Sequence, residues 1–268
     1  LSHIRRTWGR YGIPEIKARE ELTAAGPFDV ILISSSMTYW YEGTRAAIKL
    51  CRELFPEATI LIGGIYPTLC KEHASSQMGA DHVIAGEGFT PLSRYFSDCW
   101  NIDIPIPDPL KLGFPVDVYP SKTLAVMTLS QGCPFACTYC ASRLFYPKYT
   151  QGNLNFLQEE ILRIRDAGYR NIAFYDDALL ASADTLLIPL LEFINREGHQ
   201  FAFHLPNAVN LKLFTPQHAE LFRQNHFETL RFGFETADLE RQRALGGKAR
   251  NEDLVRSVSH LQNVGYSW

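Results

Sequence analysis

The sequence predicts an α/β protein in two parts, a Rossmann-like (flavodoxin-like) domain followed by a truncated, partial (β/α) barrel. Three observations carry this reading. Short apolar runs alternate with amphipathic helical segments along nearly the whole chain, as in parallel sheets with helical crossovers. The alternation breaks once, at Pro105, Pro107, Pro109, Pro115 and Pro120, where fixed φ angles and missing N–H donors leave no room for a regular element. Beyond the break the alternation resumes at a longer period, near the roughly 31 residues of one strand–helix unit in a full barrel. The parts are therefore residues 1–100, a proline-rich linker over 101–120, and residues 121–268.

In the first part, Phe28–Ser34 contains the run Val30, Ile31, Leu32, Ile33 expected of a buried parallel strand. Tyr41–Leu54 puts Ala46, Ala47, Leu50 and Leu54 on one helical face, and Pro56 ends it. Ala58–Ile62 is the next strand and stops at Gly63–Gly64; Thr68–Met78 reads as helix, His82–Ala85 as strand and Pro91–Trp100 as helix. In the second part, the strand Leu124–Leu129 runs directly into Gly132–Cys133. Gly152–Ala167 is helical, with Phe156, Leu157, Ile161 and Ile164 spaced for burial. Asn171–Tyr175 is a strand, Thr185–Glu197 a helix, Phe201–Leu205 a strand, and Pro216–Asn225 a helix capped by Thr215. Thr229–Phe234 is the fourth strand, Asn251–Val264 its helix, and Gly265–Trp268 the start of a fifth strand. The chain opens on Leu1 and stops at that fifth strand, so a fragment is expected.

Composition narrows the function classes. Hydrophobic residues make up 46% and charged residues 21%, with a formal net charge of −3. No basic surface advertises a nucleic-acid or membrane partner. The longest apolar runs, such as Val30–Ile33 and Ile60–Ile62, are far too short to span a bilayer. Six scattered cysteines do not make a secreted disulfide scaffold and point to a reduced, cytoplasmic setting.

The central motif is Cys133, Cys137 and Cys140, with three and then two residues between them, on a loop directly after a strand. Three thiolates suit a soft metal centre, and three rather than four leave one iron open to another ligand. A structural zinc site or three unlinked buried thiols are the alternatives. Zinc usually takes a fourth Cys or His at close spacing, and none follows before His199 and His204.

The stretch Ser130-Gln-Gly-Cys-Pro-Phe-Ala-Cys-Thr-Tyr-Cys-Ala-Ser142 resembles the signature of the radical S-adenosylmethionine superfamily. Tyr-Asp-Asp at 175–177, His-Leu-Pro-Asn at 204–207 and Gly-Phe-Glu-Thr at 233–236 resemble that superfamily's strand-end positions. The first part resembles the cobalamin-binding domain that precedes many members, through Ser34-Ser-Ser-Met-Thr-Tyr-Trp-Tyr41, Gly63-Gly-Ile-Tyr-Pro-Thr68 and Gly86-Glu-Gly88.

The resemblance implies a 4Fe–4S cluster on Cys133, Cys137 and Cys140. It implies S-adenosylmethionine chelated to the open iron and cleaved by one-electron reduction, giving a 5′-deoxyadenosyl radical or, in some members, a methyl group passed by cobalamin. It places Tyr139 near the adenine, Asp176 or Asp177 at the methionine amino group, and Glu235 at the ribose. Acidic side chains at strand ends agree, since a sulfonium and an ammonium need counter-charge. Otherwise Asp176–Asp177 would cap the following helix and Glu235 would pair with Arg231 or Arg241. Cobalamin is expected at Ser34, Ser35, Ser36, Gly63, Gly64 and Gly86, outside the carboxyl ends of parallel strands; an ordinary glycine turn is the plainer reading of the pair. Tyr39, Trp40 and Tyr41 would stack on a corrin or seal an interface.

Two features depart from the resemblance. The Asp-x-His-x-x-Gly pattern that supplies a histidine to cobalt is absent, Asp81 and His82 being adjacent, and the strand expected before the segment around Arg5–Glu15 is missing. The expected activity is a cobalamin-dependent radical methyltransferase. A cobalamin-independent enzyme abstracting hydrogen, or a non-catalytic corrinoid or metal module, are the competing readings. An electron donor such as a flavodoxin or ferredoxin is implied; the substrate, small molecule or peptide, is not legible.

Overall fold

Two units divide the chain between Ile104 and Pro105 in the computed structural model, which describes residues 12–267. The first holds α1 (Glu15–Ala25), β1 (Val30–Ser34), α2 (Tyr41–Leu54), β2 (Thr59–Gly63), α3 (Ile65–Leu69), α4 (Lys71–Gln77), β3 (His82–Ile84) and α5 (Phe89–Trp100). Its strands are parallel in the order β1-β2-β3. Ser34 stands opposite Gly63, and Gly63 opposite Ile84, so the three carboxyl ends are level. Ile48 and Cys51 of α2 pack with Ile60, Ile62, Tyr66, Ala74 and Met78 into the core.

Several elements differ from their sequence pattern. Ile31 and Ile33 pack on the core, but Leu32 on the opposite face of β1 is 55% exposed. The apolar run that reads as a strand buried on both sides is therefore covered on one. The buried face of α2 is Ile48, Leu50 and Cys51, and Ala47 is exposed. The helix expected over Thr68–Met78 begins earlier, directly after Gly64, and breaks at Cys70 (φ −126°, ψ 49°). The chain between Gly12 and Gly26 gave no pattern to read, yet it forms α1, which has no buried residue. Leu22 packs partly buried against the core and Arg19 reaches Glu53 of α2 at 2.9 Å, while Arg19–Glu15 at 3.7 Å and Lys17–Glu21 at 3.6 Å pair within the helix. The segment Leu1–Tyr11, including the start of the Arg5–Glu15 segment, lies outside the described residues.

The second unit runs β4 (Ala125–Met127), β5 (Ser130–Gln131), α6 (Ser142–Phe145), β6 (Thr150–Gln151), α7 (Leu154–Asp166), β7 (Asn171–Phe174), α8 (Ile188–Arg196), β8 (Ala202–His204), α9 (Pro216–Gln224), β9 (Phe227–Thr229), α10 (Leu239–Ala244) and α11 (Asn251–Asn263). The strands β4-β7-β8-β9 form a parallel sheet, and β5 and β6 a short antiparallel ribbon. Phe174, Phe203 and Phe227 on successive strands stack at 5.4 and 5.0 Å, and Phe222 of α9 lies 4.3 Å from Phe227. Such aromatic pairs add about 0.5–1.5 kcal/mol each beyond the area they bury. Thr215 caps α9 as its position predicts, and His218 completes the box.

Two elements shift. The helix expected over Thr185–Glu197 is preceded by a 3-10 turn at Leu179–Ser182 and a wide π turn at Ala183–Leu187. Pro189 has no N–H to bond back into the preceding turn, so the regular helix starts at Ile188. The fourth strand is Phe227–Thr229 rather than Thr229–Phe234, with a register shift after Phe203 and a lone bridge from Val209 to Phe232. Burial of Phe227 against Phe222 draws the strand to its earlier register. Gly265–Ser267 form no strand; the Tyr266 hydroxyl donates to Phe227 O at 2.9 Å, and Trp268 lies outside the described residues.

The later part of the linker segment packs on the second unit through Phe114 and Val116. Asp108 caps a 3-10 turn at Pro109–Lys111, Phe114 N donates to Glu160 at 2.6 Å, and Phe114 packs against Tyr119 and Tyr169. No helix among the described residues is long and apolar enough to cross a membrane.

Candidate functional site

The second unit gathers its chemistry beyond the carboxyl ends of its strands, where βα loops build active sites in barrel enzymes. The cysteine loop leaves β5 and returns at β6. Its base is closed by Gly132, whose φ is +78° and where a Cβ would stand 2.8 Å from Lys148 O. Asp176 clamps the same base from β7. It accepts from Leu129 N at 3.0 Å, Ser130 N at 2.7 Å and Ser130 Oγ at 2.6 Å, and is 4% exposed. Burial pushes its carboxyl up to about 6 against the pull of these donors. The far side of the loop rests on the turn after α10, where Thr138 N donates to Leu245 O and Gly246 (φ +102°) lies against Ala136 and Cys137.

The loop so held brings Cys133, Cys137 and Cys140 onto one cleft of about 80 Å³, together with Asp177, Asn210 and Lys248. Burial raises the Cys133 thiol above its ordinary value, and Asp177, Cys137 and Cys140 add to the rise. Among the described residues no three Cys, His, Asp or Glu side chains close around the single point that one ion would need. All three thiols border this cleft, and a multi-iron group would meet each of them at a separate iron. Asn210 supplies a second sign of fit: it is 5% exposed, it lines this cleft, and its Nδ2 has no hydrogen-bond partner.

The two neighbouring aspartates part company here. Asp177 is exposed, lines the cleft and accepts a hydrogen bond from Ser142 Oγ. Asp176 is buried and does not line the cleft, and its carboxylate accepts from the β4–β5 backbone and Ser130. Neither caps the turn that follows. Tyr139 donates to Glu235 Oε1 at 2.9 Å, and burial and that carboxylate hold its hydroxyl well above the usual range. Among the described residues Glu235 pairs with neither Arg231 nor Arg241. Asn207 ties the β8 loop to β7 through Tyr175 O at 2.8 Å. His204 in β8 bridges Thr229 at 3.0 Å and Asn171 at 3.2 Å within the sheet.

In the first unit Ser34, Ser35, Ser36, Gly63, Gly64 and Gly86 do come together at the level strand ends. Much of their polarity is satisfied internally. Ser35 is 2% exposed, bonded to Thr44 at 2.9 Å and, through its backbone, to Gly63 and Tyr66. Gly64 has φ +100°, and a Cβ there would meet Ser35 O at 2.6 Å, so glycine is required by the fold itself. Thr68 Oγ1 links Gly64 O at 2.7 Å to Gly86 N at 3.0 Å. Ser34 and Ser36 remain exposed; of the positive-φ residues here, Gly88 has open space where a Cβ would point, and a Cβ at Gly86 would touch Pro91 at 3.9 Å. Asp81 and His82 sit at the opposite end of β3, and Asp81 is bonded to Ile60 N and Arg52 at 2.7 Å. Neither can serve a ligand at the carboxyl ends. Tyr39 and Trp40 are exposed and pack edge to face, while Tyr41 stacks on Tyr66.

Sequence reasoning passed over Ser142, Asn210, Gly246 and Lys248. The pair Gly246–Gly247 before Lys248 was a visible signal, but a lone lysine and a lone asparagine carry no spacing that ties them to a cysteine loop.

A parallel sheet with three thiols and a carboxylate on one cleft beyond its strand ends suits a protein that binds a soft metal group. Residues 127–267, just over half of the chain, match the family model of the radical SAM superfamily, and residues 15–95 match that of the B12 binding domain. The chain belongs to the radical SAM superfamily. It is 29% identical to an uncharacterized methyltransferase of Pyrococcus horikoshii, over 88% of this chain and 58% of that protein. It is similar in fold to the radical S-adenosylmethionine methyltransferase TsrM from Kitasatospora setae. The structure of TsrM with tryptophan substrate and a SAM analog matches with a TM-score of 0.71 at 14% identity, covering 93% of this chain and 57% of that one. The structure of TsrM with cobalamin and a [4Fe-4S] cluster gives a TM-score of 0.69 at 14% identity, covering 93% and 59%. The chain thus spans under two thirds of the length of these proteins.

Proposed function

We propose that this chain is the cofactor-bearing portion of a cobalamin-dependent radical S-adenosylmethionine methyltransferase. The observation that carries the proposal is the shared cleft of Cys133, Cys137 and Cys140, with Asp177 on its lining. In this reading residues 121–268 hold the 4Fe–4S cluster and S-adenosylmethionine, residues 1–100 hold cobalamin, and 101–120 join them. When bound, these groups supply one electron to the sulfonium and a carrier for its methyl group.

The chain's own residues hold and orient. The three thiolates leave one iron without a protein ligand, so the amino-acid end of S-adenosylmethionine can reach it. Asp177 would face the methionine amino group, Glu235 the ribose hydroxyls, and Tyr139, tied to Glu235, the adenine. Asp176, assigned with Asp177 from sequence, acts one step back by fixing the base of the cysteine loop. Ser34, Ser36, Gly63 and Gly86 border the cobalamin, with Ser35 and Gly64 shaping the backbone beneath them. No protein histidine is expected on cobalt. A flavodoxin or ferredoxin would deliver the electron in a cytoplasmic setting that keeps the thiols reduced, and the acceptor of the methyl group is a small molecule or peptide.

Anaerobic reconstitution of the full-length protein with iron, sulfide and hydroxocobalamin tests this. About four irons per chain, bound corrinoid absorbance and reductant-dependent consumption of S-adenosylmethionine are expected. Consumption without corrinoid would reduce the reading to a cobalamin-independent enzyme, and an intact cluster that consumes nothing would reject catalysis.

A further inference from the structure

The proposed function puts two reacting groups on different units, so the chain that joins the units bears on the reaction. By its prolines the joint is the whole of 101–120. The hydrogen bonds make it much shorter. On the near side Asn101 N and Ile102 N donate to Ser97 O at 3.0 Å and Phe96 O at 3.2 Å, and Ser93 Oγ donates to Ile104 O at 2.7 Å. The chain up to Ile104 is therefore tied to α5.

On the far side the chain is gripped by α7. Asp108 caps the Pro109–Lys111 turn, which lines one cavity with Phe156 and Leu157. Glu160, 5% exposed, then accepts from Phe114 N at 2.6 Å and from Arg163 at 2.9 and 2.7 Å. Arg163 donates in turn to Phe114 O, so the pair engages both backbone groups of one linker residue. Gly113 permits the approach, since a Cβ there would stand 2.6 Å from both Arg163 Nη2 and Glu160 Oε2. The grip continues at Val116 O, which accepts from the Tyr169 hydroxyl at 3.2 Å and from Lys122. Taking a carboxylate out of water costs free energy, and one use of such a group is to fix a single geometry.

Between the two grips lies Pro105-Ile106-Pro107. Among the described residues these three make no hydrogen bond, and Pro105 and Ile106 are exposed. Two fixed φ angles, and the extended backbone imposed on a residue before proline, stiffen the segment. At about 3.1 Å per residue it is a spacer of roughly 9 Å.

We propose that Glu160, Arg163 and Gly113 are positioning residues for methyl transfer between the units. They confine the joint to Pro105–Pro107, so the first unit is joined through a short stiff spacer and not a long tether. The inference rests on the reading that the two units hold the two reacting groups, and it adds the residues that set the reach between them. Without this latch the loose chain would be about four times as long, and effective concentration falls roughly as the −3/2 power of linker length. Transfer should then slow by up to about 8-fold.

The test uses the full-length protein, reconstituted anaerobically with iron, sulfide and hydroxocobalamin, with titanium(III) citrate as reductant. In the assayed step the sulfonium gives CH3+ to the Co(I) corrinoid and leaves as S-adenosylhomocysteine. Glu160→Ala and Gly113→Val break the latch from its two sides. An insertion of about eight Gly and Ser residues after Pro105 lengthens the joint with the latch intact. Each change should slow transfer by about 3- to 8-fold and leave iron content, corrinoid content and S-adenosylhomocysteine affinity as in the wild type. Trypsin gives a readout independent of the cofactors: cleavage after the exposed Lys111 should quicken about 10-fold in the two latch variants. Unchanged cleavage there in both variants, or faster cleavage with unchanged transfer, would overturn the proposal. Loss of iron, corrinoid or ligand affinity alongside transfer would overturn it too, by assigning these residues to the fold of the units themselves. If the wild type transfers no methyl group, the functional reading itself fails and takes the proposal with it.

Discussion

The strand ends of the two units carry the same kind of clue, small or acidic residues where parallel strands finish, but the fold uses them differently. In the first unit Ser35 bonds to Thr44, Gly63 and Tyr66, and Thr68 to Gly64 and Gly86, so part of the motif is explained by the loops alone. In the second, the three cysteines, Asp177, Asn210 and Lys248 face a cleft with much of their bonding capacity unused. The contrast recurs between two adjacent residues, since Asp176 is bonded within the fold and Asp177 lines the cleft. A polar residue at a strand end becomes a strong ligand candidate when the protein leaves it unsatisfied. Position alone is weaker evidence.

The sharpest break in the comparison is expected among the cysteines. Cys137→Ser should remove nearly all iron from the reconstituted protein. Cys51, Cys70 and Cys99 lie in the other unit and line no part of the cleft, so their serine variants should keep wild-type iron per chain. Iron loss in any of those three would mean the ligand set is wrong.

The two sheets should differ in stability on truncation. Phe203 is 2% exposed within the aromatic ladder, and Phe203→Ala should cost about 3–5 kcal/mol in urea denaturation of the second unit. Leu32, 55% exposed on the open face of β1, should cost less than about 0.5 kcal/mol as alanine. A large loss at Leu32 would show that something covers that face in solution.

Asp176 offers a pH test of its structural role. Its folded value of about 6 lies above the ordinary 3.8, so between those values the folded state binds more proton than the unfolded state. Stability should therefore fall as pH rises from about 4 to about 6, by up to about 3 kcal/mol, and Asp176→Asn should flatten the slope. An unchanged slope in the variant would place the titration elsewhere.

The smallest effects separate fold from ligand in the first unit. Gly64→Ala forces a side chain into φ +100° and against Ser35 O, and should cost about 1–3 kcal/mol whether or not cobalamin binds. A Cβ at Gly63 meets Ile84 alone, its O at 3.4 Å and its Cβ at 3.8 Å, ordinary contacts. Hydroxocobalamin affinity lost in Gly63→Ala with stability kept would put the ligand at this strand end. Affinity kept would remove Gly63 from the site.

Periodicity and punctuation by themselves determined the α/β class, the cap at Thr215, and α2 to its end residues. These are local, set by side-chain spacing and the backbone limits of proline and glycine. The cysteine spacing likewise nominated three thiols before any coordinates. Only tertiary structure decided that these thiols share a cleft with Asp177, and that Asp176 turns inward, because both depend on how the β4–β5 backbone meets the end of β7. It decided that β1 is covered on one face only, since an apolar run records hydrophobicity and not what packs on it. It also placed Asn210 and Lys248 beside the cysteines, across sequence separations that no local pattern spans.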